Sequence, residues 1–100
     1  MNSYSRKIST EESNEQYIFV YKDRLNFFPS RGKTFLLDEG PRHKRARVES
    51  YPCLCHGPHE PHRHYYIRWK GLQKGDTIVI RKDPNHRDEY KLRIEHPASN

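Results

Sequence analysis

Both cysteines of the chain and four of its seven histidines lie within one stretch, YPCLCHGPHEPHRHYY, residues 51–66. Thiolate and imidazole groups are the ligands that zinc takes in tetrahedral protein sites. Two of them, His62 and His64, are two residues apart, so on an incoming strand they could point to the same side. The candidate ligands are Cys53, Cys55, His56, His59, His62 and His64. If a metal binds here, we expect Zn²⁺ held by both thiolates and two of the imidazoles.

The spacing of these residues also allows a stretch without metal. The cysteines are separated by one residue, whereas the paired ligands of a zinc knuckle are usually separated by about two to four. There is no second, distant pair of cysteines to cross-link. The alternative is a polar loop stiffened by Pro52, Pro58 and Pro61, whose histidines face solvent or a binding partner. The sequence leaves both interpretations open, so the cofactor is either none or Zn²⁺.

Catalysis by this stretch is disfavoured. The neighbours Cys55 and His56 have the residue types of an activated thiol pair. Side chains of adjacent residues seldom point at each other, and nothing in the sequence indicates an oxyanion hole. We therefore expect no enzymatic activity.

The charge distribution points to a polyanionic partner. The chain has a net charge of +6, and residues 1–15 contain two basic and three acidic residues, so residues 16–100 carry +7. Such an excess on a small domain favours nucleic acid, through phosphate neutralisation and counterion release. The alternative is that the charge only keeps the protein in solution.

The composition also predicts where in the cell the protein is located. Two closely spaced cysteines do not form the disulfide framework of a secreted domain, and no apolar run approaches the roughly 20 residues of a membrane span. We expect an intracellular protein without a membrane partner. The basic run RHKRAR, Arg42–Arg47, is typical of a nuclear import signal, which predicts a nuclear location if the source is eukaryotic.

Strand patterns dominate the rest of the chain. Residues 1–15 are polar and are predicted to be a disordered tail, residues 16–96 a single β domain, and residues 97–100 a short C-terminal tail. Three strands, 64–70, 76–82 and 89–95, are separated by short connectors and predict an antiparallel meander. No segment has helical periodicity beyond a single turn near 71–74. The predicted fold is all-β, a small antiparallel barrel or half-barrel of about five to seven short strands.

Alternation along these three strands predicts their two faces. The inward set is Ile67, Trp69, Ile78, Ile80, Tyr90, Leu92 and Ile94. The opposite set includes Tyr66, Arg68, Lys70, Arg81, Lys91 and Arg93. Five cations and a tyrosine on one face suit phosphates and a stacked base, with Tyr66 as the stacking ring and Trp69 as a core residue. An ordinary solvated sheet face is the alternative.

Two resemblances extend these inferences. The segment YYIRWKGL, residues 65–72, resembles a strand of the chromodomain, but the segment and helix that follow in that family are missing, so no methyl-lysine cage is implied. The segment GLQKGDTIVIRKDPNHRDEYKLRIE, residues 71–95, resembles the B3-like DNA-binding pseudobarrel family of plant transcription factors and some restriction enzymes. FLLDEGPRHKRARVESY, residues 35–51, lies where the first part of that pattern would be, without its tryptophan. The matching positions are Leu72, Gly75, Asp76, Ile78 and Ile80.

The B3-like resemblance implies that DNA lies across two arms formed by loops. The first arm would fall near Lys22, Arg24, Arg31 and Lys33, and the second would be the loop between Tyr51 and His64. With the basic residues Arg45 and Arg47, the sequence predicts a nucleic-acid-binding β module, for DNA rather than RNA. The alternative function is a protein-interaction module, with or without zinc stabilising its Cys/His loop.

Overall fold

The computed structural model describes residues 3–30, 32–53 and 62–97, with only the backbone of residues 51–53, 62 and 63. The strands are β1 (Ser3–Lys7), β2 (Tyr17–Val20), β3 (Phe35–Asp38), β4 (His43–Ala46), β5 (Glu49–Cys53), β6 (His62–Arg68), β7 (Thr77–Lys82) and β8 (Glu89–Glu95). A helix α1 (Thr10–Glu15) follows β1, and a 3-10 helix (Lys22–Phe27) follows β2. The prediction of an all-β fold is confirmed.

The strands form two sheets. A five-stranded sheet has the order β1-β7-β8-β3-β4, and a three-stranded sheet has the order β2-β6-β5. Strands β3 and β8 run parallel, and the other paired strands run antiparallel. The sheets do not close into a barrel. The described residues therefore contain eight strands and one parallel pair, where the sequence predicted five to seven antiparallel strands.

The inner faces of both sheets pack on one core, and the predicted inward positions are confirmed. Ile67, Ile78 and Ile80 are fully buried, Trp69, Tyr90 and Leu92 are nearly so, and Ile94 packs against them half-buried. The hydroxyl of Tyr90 donates to the backbone carbonyl of Phe27 over 2.7 Å. Burial raises the pKa of Tyr90 to about 12, because the ionised phenol would lose its hydration.

The N-terminal segment is part of the domain, so the prediction of a disordered tail is wrong for residues 3–15. Strand β1 pairs with β7 along its whole length, and Tyr4 and Ile8 are buried. The Tyr4 hydroxyl donates to the Phe19 carbonyl over 2.7 Å and accepts from the Tyr21 N–H over 3.2 Å, which links β1 to the other sheet. The burial of two apolar side chains and a full ladder of backbone hydrogen bonds offset the conformational entropy that this otherwise polar segment loses when it becomes ordered.

Helix α1 begins with a capping box. The Ser9 hydroxyl accepts from the Glu12 N–H, and the Glu12 carboxylate accepts from the Ser9 N–H over 3.0 Å. The same buried carboxylate accepts from the Arg6 guanidinium over 2.7 Å and from the Phe19 N–H over 2.8 Å. These bonds dock α1 against β2. Among the described residues, no helix is long and apolar enough to cross a membrane.

The predicted meander is correct for β7 and β8 but wrong for β6. Strands β7 and β8 form an antiparallel hairpin, whereas β6 lies between β2 and β5 in the other sheet. The edge of β7 that β6 would have used is taken by β1. The connector turns at Gly71 and Gly75, both with positive φ, a conformation that glycine adopts without strain. The buried Asp76 carboxylate accepts from the Gln73 N–H over 3.0 Å and so caps the turn.

Candidate nucleic-acid interface

The two sheets divide the basic face that the sequence predicted. Tyr66 and Arg68 lie on β6, whereas the other strand residues lie on β7 and β8. Since the inner faces of both sheets meet at one core, their outer faces look away from each other. The prediction of a single basic sheet face is therefore wrong. Arg81, Lys91 and Arg93 share the outer face of the five-stranded sheet, which we call the paired face together with Asp38 and Glu95.

Ion pairs compensate most of the charge on the paired face. The Lys91 ammonium lies 2.9 Å from the Asp38 carboxylate, and the Arg93 guanidinium lies 2.7 Å from Glu95. The hydrogen bond from Lys91, with one from the Gly40 N–H, holds the pKa of Asp38 below its ordinary value. The same bond raises the pKa of Lys91. Two of the three cations here are thus already bound to carboxylates.

A second basic region lies where the two sheets meet. It is a groove of about 280 Å³, which we call the basic groove. Four basic side chains and one carboxylate line it, so its charge is strongly positive. The lining residues are Thr34, Lys44, Arg45, Ala46, Arg47, Glu49 and Arg68. Of these, Arg45, Arg47 and Arg68 were predicted, whereas Lys44 was missed although it lies in the same basic run.

The alternation of buried and exposed residues determines where these cations lie. Ala46 and Val48 are buried where the chain passes from β4 to β5, so the residues between and before them, Arg47 and Arg45, are exposed. Arg68 is exposed between the buried Ile67 and Trp69 of the β6 segment. The apolar neighbours fix the backbone, and the guanidinium groups extend from it into the groove.

The ion pairs of the basic groove are long and exposed. The Arg68 guanidinium lies 3.7 Å from Glu49, and the Arg45 guanidinium lies 3.5 Å from Asp88. Exposed pairs of this kind contribute only about 0–1 kcal/mol. Arg47 makes no ion pair with any residue that the structure describes. The groove therefore presents cations that can exchange their weak contacts for phosphate oxygens.

Further basic residues extend the groove past Trp69. An adjoining depression of about 390 Å³ is lined by Pro41, Arg42, His43, Lys44, Trp69 and Lys70. The Lys44 ammonium lies 4.9 Å from the centre of the Trp69 ring, and the indole N–H donates to the Glu39 carboxylate over 2.8 Å. Trp69 is 2% exposed, in agreement with its predicted role as a core residue. Lys70 thus lies on the same side as the basic groove.

The predicted first arm is only partly beside this groove. The Gly32 N–H donates to the Val48 carbonyl over 3.4 Å, which places the neighbouring Lys33 near the start of β5. Arg31 lies outside the described residues. Lys22 is exposed on the 3-10 helix, whereas Arg24 donates to the Ser3 carbonyl over 2.6 Å. Its guanidinium therefore already ties the 3-10 helix to β1.

Tyr66 lies in a separate pocket next to the basic groove. This pocket, of about 520 Å³, is lined by Glu11, Glu15, Tyr17, Tyr66 and Arg68. The Arg68 guanidinium lies over the Tyr66 ring at 5.3 Å from its centre. Base stacking by Tyr66 stays a prediction, and two carboxylates that the sequence did not single out are its neighbours.

The Cys/His hypothesis falls largely outside the described residues, which exclude Cys55, His56 and His59. The backbone register places Cys53 opposite His62 in the β5–β6 pair. The His64 ring is half-buried, with its centre 5.6 Å from that of Phe19. A zinc site here stays a prediction.

One other group of metal-ligand types occurs in the described part of the chain. Asp83, His86 and Glu89 lie at the β7–β8 turn with their ligand atoms within 4.8 Å of one another. The His86 ring nitrogen lies 3.3 Å from the Glu89 carboxylate and 3.6 Å from that of Asp83. An imidazole held between two carboxylates explains this arrangement without a metal.

Comparisons with known proteins identify the fold but no family. No protein-family model matches the chain, and no curated protein sequence matches it. Among solved structures, the N-terminal domain of Helicobacter pylori LlaJI.R1 is similar, with a TM-score of 0.68 and 14% sequence identity. The likeness covers 99% of this chain and 84% of that one. It is a likeness of fold, and the B3-like and chromodomain resemblances stay predictions.

Proposed function

We propose that this protein is a non-enzymatic nucleic-acid-binding β domain whose basic groove holds the phosphate backbone of DNA. The observation that carries the proposal is the lining of that groove. Four basic side chains face one carboxylate, and the ion pairs of Arg45 with Asp88 and of Arg68 with Glu49 are 3.5 and 3.7 Å long. Phosphate oxygens can replace such weak partners at little cost.

The chemistry of the lining suits phosphate in particular. Three of the four cations are arginines, whose planar guanidinium groups bind phosphate oxygens in a bidentate manner. Lys33 on one side and Lys70 on the other would lengthen the contact along a strand. The preference for DNA over RNA rests on the resemblance of residues 71–95 to the B3-like DNA-binding family.

The test is a binding titration at several salt concentrations. A labelled DNA duplex of about 20 base pairs is compared with a single strand and with duplex RNA, since each phosphate contact adds about 0.9 to the slope of log affinity against log salt. The variant Lys44→Gln, Arg45→Gln, Arg47→Gln and Arg68→Gln should lower that slope by about 3 to 4 units. DNA affinity should fall by at least tenfold.

A matched variant removes the same charge elsewhere. Arg81→Gln, Arg87→Gln, Lys91→Gln and Arg93→Gln should change the slope by no more than about one unit. Equal losses in both variants would show that net charge alone drives binding and would remove the groove from the proposal. Wild-type protein that binds none of the three nucleic acids at low salt would refute the function itself.

A second candidate function, protein interaction, is favoured by one observation. Two carboxylates and two tyrosines line the pocket beside the basic groove. Negative charge at that point repels phosphate and attracts a cationic group. The two functions can coexist because they use different residues, apart from Arg68.

A further inference from the structure

The pocket beside Tyr66 combines aromatic faces with negative charge. We call it the aromatic–acidic pocket; its residues are Glu11, Glu15, Tyr17 and Tyr66, and Arg68 separates it from the basic groove. The rings of Tyr17 and Tyr66 have their centres 5.6 Å apart and are tilted by 58°. Helix α1 supplies the carboxylates, and strands β2 and β6 supply the rings. The open volume of about 520 Å³ is large enough for a long side chain.

The position of Glu15 and its spacing from Glu11 oppose folding of the helix, whereas Glu11 itself lies in the first turn, where a carboxylate is favourable. Glu11 and Glu15 are four residues apart on α1, a spacing at which like charges repel. Glu15 is also in the last turn, at the negative end of the helix dipole, and that turn contains no basic residue. Neither carboxylate has a hydrogen bond or ion pair to any part of the chain that the structure describes. A cation in the pocket would relieve both unfavourable interactions.

The aromatic side of the pocket already attracts a guanidinium. Arg68 lies over the Tyr66 ring, within the range at which a cation is drawn to the negative face of an aromatic ring. The pocket therefore offers the two contacts that an arginine side chain makes in proteins. Its planar group stacks on a tyrosine, and its N–H donors bind carboxylate oxygens.

We propose that the aromatic–acidic pocket binds an arginine side chain of a protein partner. This inference goes beyond nucleic-acid binding and does not depend on it. The protein has a net charge of +6, so a basic ligand is repelled at long range and must be held by short-range contacts. At physiological ionic strength the repulsion is screened beyond about 8 Å, which leaves the local carboxylates to dominate.

The probe is a blocked tripeptide, acetyl-Gly-Arg-Gly-amide, titrated into the isotope-labelled full chain and followed by amide chemical shifts. Shifts should concentrate in α1 and around Tyr66. The same peptide with norleucine in place of arginine should produce none, because it keeps the stem and lacks the charge. Shifts that instead follow the paired face or spread over the surface would overturn the proposal.

Two double variants of equal charge separate local recognition from net charge. Glu11→Gln with Glu15→Gln should weaken peptide binding at least fivefold, whereas Asp88→Asn with Glu95→Gln should change it less than twofold. The Glu11/Glu15 variant should unfold at the same or a higher temperature, since a repulsion is removed. Equal weakening in both variants, or a lower unfolding temperature in the first, would mean that the carboxylates are not a binding device.

Tyr66→Leu distinguishes this site from a base-stacking one. It should weaken peptide binding and leave DNA affinity within twofold of wild type. Loss of DNA affinity with unchanged peptide binding would assign Tyr66 to nucleic acid and overturn the inference. The unfolding temperature of the variant shows whether the pocket has kept its fold.

Discussion

The basic groove and the paired face present the same kinds of side chain, yet they differ in how those side chains are bound. On the paired face, two cations lie 2.7 and 2.9 Å from carboxylates. In the basic groove, the corresponding distances are 3.5 and 3.7 Å. A count of basic residues therefore does not define a phosphate-binding surface. The contacts that each cation already makes also bear on which cations can bind a new partner.

Strand position explains this difference for Lys91 and Arg45. Lys91 lies in an inner strand, β8, and its register partner in β3 is Asp38. A cation inside a sheet has cross-strand neighbours on both sides, so a nearby carboxylate is easily met. Arg45 lies on β4, which is an edge of the five-stranded sheet. At an edge one side lacks a neighbour, and its cations stay open to a ligand.

The largest expected effect is a loss of stability, and it tests whether the residues packed below each region belong to the core. Trp69, below Lys44, is in the core, so Trp69→Ala should lower the free energy of unfolding by about 3–5 kcal/mol. Val79, on the outer side of β7 beside the paired face, is only half-buried, and Val79→Ala should cost about 1 kcal/mol or less. Urea unfolding measures both. Similar losses in the two variants would show that the groove does not rest on the core as described.

A smaller effect should follow when the ion pairs of the paired face are broken. Asp38→Asn with Glu95→Gln releases Lys91 and Arg93, so DNA affinity should rise about threefold and the salt slope should grow by about one unit. The control, Asp23→Asn with Asp83→Asn, removes equal charge without releasing a lysine or an arginine from an ion pair. If both variants increase affinity equally, the comparison between the two regions reduces to net charge.

The smallest expected effect is a shift in the titration of Asp38. Its pKa is lowered by the Lys91 hydrogen bond, so the contribution of this pair to stability is present above the ordinary pKa of an aspartate. This contribution is lost as the pH falls through the lower pKa that Asp38 has in the folded protein. Carboxyl chemical shifts should show a higher pKa for Asp38 in Lys91→Gln than in wild type. An unchanged pKa would mean that the ion pair does not form in solution.

Local patterns predicted a large part of the fold. The alternation of apolar residues identified the buried positions of β6, β7 and β8, including Trp69, because side chains alternate between faces whichever sheet a strand joins. The β7–β8 hairpin was also predicted from its short connector. For the candidate site, Arg45 and Arg47 were named from charge and Arg68 from strand alternation, and Lys44 could have been added from the same basic run as the first two.

Other elements were missed for identifiable reasons. Strand β1 was not predicted because Tyr4 and Ile8 are the only buried apolar residues in 3–15, and its register partners in β7 are 70 to 78 residues away in the chain. Helix α1 did have a readable signal, the Ser9 and Glu12 capping box. The carboxylates Glu11 and Glu15 could not be placed beside Tyr66 without knowing that α1 docks on β2.

By itself, the sequence determined the charge of the domain, its strand composition and the inward or outward direction of side chains along each strand, since these depend on composition and on a repeat of two residues. Only the tertiary structure decided that β1, and not β6, pairs with β7. That choice depends on the free energy of the whole arrangement of strands and core, to which contacts distant in sequence contribute. The parallel pairing of β3 with β8, which local patterns also did not predict, puts Lys91 beside Asp38, and the place of β6 in the other sheet puts Arg68 in the basic groove.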